Sequence, residues 1–346
     1  MPAISAVDAI SPAVQRTRGF LFRPFRWGTY LKLCLVAMLT EGLGGNFGSA
    51  HGGPWSSHRH MVSSAPLPHL SHGWIAGIVA GSVILIALCF FLAYLITRLR
   101  FAYFHCLIHG VREIRPGWRL YREPAKRFFW MNVVVGLCFL VVLALIALPF
   151  IGGFWRLMHS SGGHPDFGSV LFLALPLIPL FFLIVLLGVV TDLILRDLML
   201  PHYALENATA GQAWAAVRGR IGAEKAGFFV YGLLRVAIPI VATIVLGLAI
   251  VILALILAGV GAISWFSLHA AAVSAGGVAA IAGRLLLVLL LLASFGALII
   301  LSISLFGSLG TAIREYALVF YGARYQRLGE ILFPPRPAGV GEPGMA

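Results

Sequence analysis

Asp192 and Arg235 fall inside long apolar runs of this chain. Ionisable groups in hydrocarbon are expensive and mark proton relays, substrate paths or buried pairs. Asp192 lies near the end of one run and Arg235 some way into the next. That placement predicts an intramembrane polar pair across adjacent helices. The alternative for Arg235 is snorkelling, in which the aliphatic stem covers apolar surface and the guanidinium reaches water. Glu41 and Arg284 fall toward the far ends of their own runs, where interfacial solvation accounts for them.

A second set of candidates is imidazole. The segment AHGGPWSSHRHMVSSAPLPHLSHG holds His51, His58, His60, His69 and His72, with His159, His164 and His269 in later connections on the same side. His58 and His60, with His69 or His72, have the ligand type that suits zinc, copper or nickel. No carboxylate or cysteine accompanies them, and the Gly, Ser and Pro background is that of a flexible spacer. The four cysteines, Cys34, Cys89, Cys106 and Cys138, show no paired spacing that would signal a disulfide framework or a zinc knuckle. No metal or other cofactor is expected.

The third set is guanidinium. Residues 97–127 carry Arg98, Arg100, Arg112, Arg115, Arg119, Arg122, Lys126 and Arg127 against Glu113 and Glu123, a local charge of +6. Within it, RFAYFHCLIHGVR is apolar but too short to span and is flanked by arginine, the pattern of a helix lying in the membrane interface. Each cation near an anionic leaflet contributes about 1 kcal/mol, so Arg98, Arg100, Arg112, Arg115, Arg119 and Arg122 are the expected lipid-headgroup-binding residues. A nucleic-acid partner would need a folded reading module, and none is visible.

The elements that must position these groups are membrane helices. The chain has 346 residues, of which 60% are hydrophobic and 11% charged. Its mean hydropathy is +0.96. Soluble domains carry about a quarter charged residues. A span needs roughly 20 mainly apolar residues, and six runs qualify: 28–44, 74–96, 129–151, 169–191, 231–256 and 284–306. The first is the weakest, with Lys32 and Glu41 near its ends. The fifth extends from Phe228 to about Ile263, which predicts a tilt, a kink at Pro239 or an interfacial first turn. Pro176 and Pro179 predict a kink in the fourth. Arginine and lysine concentrate before the first span, in the second and fourth connections and in the tail, which places both termini in the cytoplasm. A cleaved signal peptide over residues 1–50 fits less well, because its basic start would be long and Glu41 would interrupt it.

The cytoplasmic segments resemble one another. Arg23, Pro24, Phe25, Arg26 and Trp27 precede the first span. Arg115, Pro116, Gly117 and Trp118 precede the third, and Trp214, Arg218, Lys225, Phe228 and Phe229 lead into the fifth. Exits match in part, with Thr97, Arg100, Ala102 and Tyr103 comparable to Thr311, Arg314, Tyr316 and Ala317. The expected fold is therefore an all-α integral membrane protein with six transmembrane helices. They form three helical hairpins, about 15–98, 99–196 and 197–313, each introduced by an amphipathic cytoplasmic elbow helix. Residues 15–331 form a single domain, with 1–14 a flexible start and 332–346 a disordered tail.

Arg23 to Trp27, the glycine-rich stretch Leu43, Gly44, Gly45 and Asn46, and the run Arg314 to Gly322 carry a likeness. The chain resembles bacterial polytopic membrane proteins of unknown function that are similar to the membrane domain of glycerophosphoryl diester phosphodiesterases. The resemblance implies a multi-pass inner-membrane bundle. The soluble phosphodiesterase barrel has no counterpart in these residues, so no catalytic residue is carried over. The residues themselves show no hydrolase elbow, phosphate-binding glycine loop or catalytic acid and base cluster. The expected function is non-enzymatic, with anionic lipids and a protein partner or second copy as partners. The alternative is a transporter of a small molecule or lipid that uses the proline-bearing fourth span.

Overall fold

A computed structural model describes residues 4–43, 72–160, 168, 171, 173, 175–275 and 277–334, and within these the chain is helical with no strand. Three short helices stand where the elbows are expected: α1 (Ile10–Phe22), α4 (Ile114–Leu120) and α8 (Ala210–Ala223). Each leads into another helix, α2 (Trp27–Ala37), α5 (Arg122–Ser160) and α9 (Lys225–Ala275), the last two of them long. The others are α3 (His72–His109), α6 (Leu177–Leu193), α7 (Leu200–Glu206), α10 (Gly277–Gly322) and α11 (Gln326–Leu332). Short π-helical segments continue α2 over Met38–Leu43 and α6 over Ile194–Met199.

Five helical stretches are long and apolar enough to cross a membrane: Gly77–His109, Arg122–Leu157, Leu177–Glu206, Lys225–Ser267 and Ile281–Gly322. The chain is a multi-pass membrane protein. Their apolar stretches are almost wholly unburied by protein, as at Leu183, Ile244 and Leu289. In hydrocarbon that is tolerated, since the helix satisfies its own backbone and the side chains lose nothing by facing lipid. Pro239 sits inside α9 without ending it. Leu175 and Pro176 form a turn, so Pro179 falls in the first turn of α6, where its missing N–H costs little.

The helices group into two units. The first comprises Met1–Gly42, Tyr103–Ile114 and Ala216–Ala346, and the second Leu43–Ala102 and Arg115–Ala215. Their cores lie where the even-numbered expected spans leave their apolar runs. In the second unit, Phe128 packs edge-on against Phe101 at 5.5 Å and Tyr203 at 5.4 Å, and Leu195 through Tyr203 is buried without interruption. In the first, Tyr231 stacks on Phe320 at 4.2 Å, and Phe228 meets the same ring edge-on at 5.5 Å. Two left-handed residues close helices here: Gly110 (φ 65°) after α3 and Asn207 (φ 51°) after α7. Both are residue types that adopt this conformation with little strain.

The direction of α2 departs from expectation. Three hairpins would set the first and sixth spans antiparallel. Instead Tyr30 donates to the Ser304 carbonyl at 3.3 Å, Cys34 lies against Gly307, and Ala37 and Glu41 lie against Gly310. Residue numbers rise together, so α2 runs in the same direction as α10. Gly307 and Gly310 make this crossing available because they let two backbones approach. The consequence is that Glu41 does not share a level with Arg284, which lies 26 residues earlier on α10, about 39 Å along a helix.

Candidate functional site

The six arginines expected at headgroups separate into two groups. Arg98 stacks over the Trp118 ring, 4.4 Å from its centroid, and donates to the Trp118 carbonyl at 3.1 Å. Arg112 donates to the carbonyls of Gly19, Arg23 and Pro24, satisfying the acceptors left at the end of α1. Arg100 is only 7% exposed. Arg100 is buried in the packing, while Arg98 and Arg112 are half-buried and engaged with backbone carbonyls. The burial of Arg100 corrects the expectation for that residue: the interfacial helix expected over 99–111 is the end of α3, and most of its residues are core. Arg115, Arg119 and Arg122 are exposed, with Lys126 and Arg127 following. Arg115 and Arg119 are four apart on α4 and so share its face. Exposed Leu120 lies beside them. The apolar helix α5 follows immediately from the end of this basic face.

Asp192 and Arg235 lie in different units, and each makes an ion pair within its own. Asp192 accepts from Arg196, one turn on, at 3.0 Å. Arg235 meets Glu41 at 3.4 Å, with side chains 14% and 6% exposed. Glu41 was expected in interfacial water at the far end of its run. The parallel course of α2 brings it to Arg235 instead, because a buried carboxylate needs a cation within reach. Around this pair the first unit gathers further polar groups. Tyr103 donates to Thr311 at 2.7 Å, and Glu315, Glu41 and Cys34 lie within electrostatic reach of its hydroxyl. Arg16 reaches Glu315 at 2.9 Å. Arg314 is 1% exposed. Sequence reasoning missed Glu315, Arg314 and Tyr103. The signal for them was the exit similarity of Thr97, Arg100 and Tyr103 to Thr311, Arg314 and Tyr316, which pointed to these turns as something more than connections.

At the boundary of the first unit Arg324 makes two 2.7 Å bonds to Glu224 and lies 3.9 Å from the Phe320 ring centroid. The hydrogen bonds from Arg324 hold the Glu224 carboxyl below its ordinary value. A depressed carboxyl stabilises the fold above its unfolded pKa of about 4.3, and that stability is lost as pH falls through the folded value. Glu224 is 43% exposed, so solvent screens the effect and it is small. Melting curves of wild type and Glu224→Gln should differ at neutral pH and converge below about pH 4. A gap that widens on acidification contradicts the assignment.

The candidate metal ligands His58, His60 and His69 lie outside the described residues, and His72 is described only as the first residue of α3. Among the described residues no group of three or more histidine, cysteine, aspartate or glutamate side chains is placed to hold a metal. No curated protein and no solved structure matches the chain. A family model matches residues 4–331, nearly the whole length, and by that match the chain belongs to DUF7544, a family of unknown function.

Proposed function

We propose that the chain is a non-enzymatic, multi-pass protein of the bacterial inner membrane whose basic elbow engages anionic lipid headgroups and whose lipid-facing helices pack against a protein partner or a second copy. The observation that carries the reading is the division among the arginines. Arg98 and Arg112 are fixed by backbone carbonyls, and they hold the elbow in place, while Arg115, Arg119 and Arg122 are left exposed on it. Arginine presents a planar fork suited to phosphate oxygens.

Both termini lie on one side in this reading, with an even number of crossings. Arg16 donates to the Leu107 carbonyl near the end of α3 and to Leu332 after α10. The start of α3 must lie on the opposite side if α3 crosses. Six crossings, one more than the five long helices, belong to this proposal. The basic elbows assign the shared side to the cytoplasm. The likeness to the membrane domain of glycerophosphoryl diester phosphodiesterases belongs to the same proposal.

The test is native mass spectrometry of protein released from nanodiscs containing phosphatidylglycerol, comparing wild type with the Arg115→Gln, Arg119→Gln, Arg122→Gln triple variant. At about 1 kcal/mol per cation the triple variant should lose on the order of a hundredfold in affinity for the retained anionic lipid. Equal retention would show that these arginines only orient the chain.

The Glu41 to Arg235 pair supports a second reading, a transporter of a small molecule or lipid, because an ion pair among apolar helices is a feature of substrate and proton paths. Flux of a lipid or solute into proteoliposomes that Arg235→Leu abolishes would favour it over the first.

A further inference from the structure

His105 and His109 occupy the last turn of α3, within the first unit, and their ring centroids are 4.5 Å apart with an interplanar angle of 55°. We propose that this pair is a binding site for a borderline divalent transition metal of the zinc, nickel and copper class, held by two imidazoles from one helical turn. Residues four apart lie on one face, so a rigid helix presents both rings to a single point without ordering a loop. A metal about 2.0 to 2.1 Å from each ring nitrogen lies about 3.2 Å from each ring centroid. Two imidazoles meeting it at about 90 to 110° then have centroids about 4.5 to 5.2 Å apart. The observed spacing is compatible with that interval.

The surroundings fit an open site. His109 is exposed and His105 half-buried, so the pair stands at the edge of the protein. Among the described residues no third histidine, cysteine, aspartate or glutamate joins them, and imidazole without thiolate selects the zinc, copper and nickel class over calcium or magnesium. Cys106 does not compete, because its thiol lies 3.3 Å from the Glu113 carbonyl. The backbone holding the rings is itself fixed: Gly110 closes the helix in a left-handed conformation, and Arg16 and Arg112 tie the adjoining turns to α1, α10 and α11. Those two guanidiniums also add positive charge nearby, which lowers affinity for a dication and sets this site apart from a closed structural zinc centre.

Other histidines in the chain require a control. The experiment titrates Zn2+ against a chromogenic chelator at pH 7.5, using full-length protein in detergent with a purification tag that contains no histidine. Four proteins are compared: wild type, His105→Ala, His109→Ala, and a His58→Ala, His60→Ala, His69→Ala, His72→Ala variant. Wild type and the fourfold variant should bind one equivalent equally well, while each single variant loses at least about tenfold in affinity. Because His109 is exposed, its replacement leaves the helical circular dichroism and melting midpoint unchanged, which separates loss of a ligand from loss of the fold. Zinc binding that persists in His109→Ala, binding that disappears in the fourfold variant, or the absence of binding in wild type would each overturn the proposal.

Discussion

Gly307→Leu should deplete the folded protein more than any other single substitution in the described membrane helices. A Cβ built at Gly307 overlaps the Cys34 carbonyl oxygen and lies 2.5 Å from the Cys34 Cα. These are backbone atoms of α2 and cannot rotate away, so the two helices must separate. Overpacking typically costs 1 to 3 kcal/mol. With backbone on the receiving side, we expect about 3 kcal/mol or more, a fall of roughly 4 °C or more in the melting midpoint. Separation of α2 from α10 also withdraws Glu41 from Arg235, adding an unpaired buried charge to the steric cost. Gly307→Ala should already lower the midpoint. Gly296, on the same helix with nothing within 4 Å of its built Cβ, provides the control: Gly296→Ala should leave the midpoint unchanged or raise it, since alanine favours helix. Thermal unfolding in detergent followed by circular dichroism distinguishes them. If Gly307→Ala melts with wild type, the parallel α2 to α10 contact is not the native one.

That contact marks the limit of what was legible in the sequence. Helicity, the long apolar helices and the three short helices ahead of Trp27, Arg122 and Lys225 follow from local features. Proline at Pro24 and Pro116, clustered arginine, and the change to unbroken Leu, Ile and Val are enough to punctuate the chain. The partners of charged residues were not legible, because they depend on which way two helices run and how each is rotated. Runs that are apolar on every side, such as α6 and α9, carry no amphipathic stripe to fix that rotation. Placement toward the same side of adjacent expected spans pairs Asp192 with Arg235, whereas Asp192 meets Arg196 and Arg235 meets Glu41. The spacing of Gly307 and Gly310 was the available clue to close approach. The arginines show the same limit: Arg100, Arg112 and Arg115 look alike in sequence, yet one is core, one holds the end of α1 and one is exposed. His105 and His109 were not singled out in the sequence, and only the structure shows their rings in contact.

Arg16→Met should produce the second large effect, through electrostatics. Arg16 donates to Glu315 at 2.9 Å, to the Leu332 carbonyl at 3.1 Å and to the Leu107 carbonyl at 3.4 Å. One side chain thus ties α1 to α10, to the end of α11 and to the last turn of α3. Glu315 is 1% exposed, while Arg16 is 28% exposed. The two partners are therefore not equivalent on removal. Without Arg16 the carboxylate loses a direct hydrogen-bond donor in a place water does not reach, and two carbonyls lose theirs. Breaking a buried pair from this side costs about 3 to 5 kcal/mol. Arg314 lies near enough to interact with Glu315, which places the expected loss toward the lower end. Glu315→Gln should cost less, because the amide oxygen still accepts from Arg16 and the guanidinium has partial access to solvent. The double variant Arg16→Met, Glu315→Leu should be more stable than the sum of its single variants by about 1 to 3 kcal/mol, the coupling expected of contacting residues. Denaturant titration of the four proteins in the same detergent gives the cycle. An Arg16→Met protein that unfolds with wild type would mean that the Arg16 contacts do not hold α1 in place. A measured coupling would instead make the first elbow an ionically fixed part of the first unit, as Arg112 does from the other end of α1.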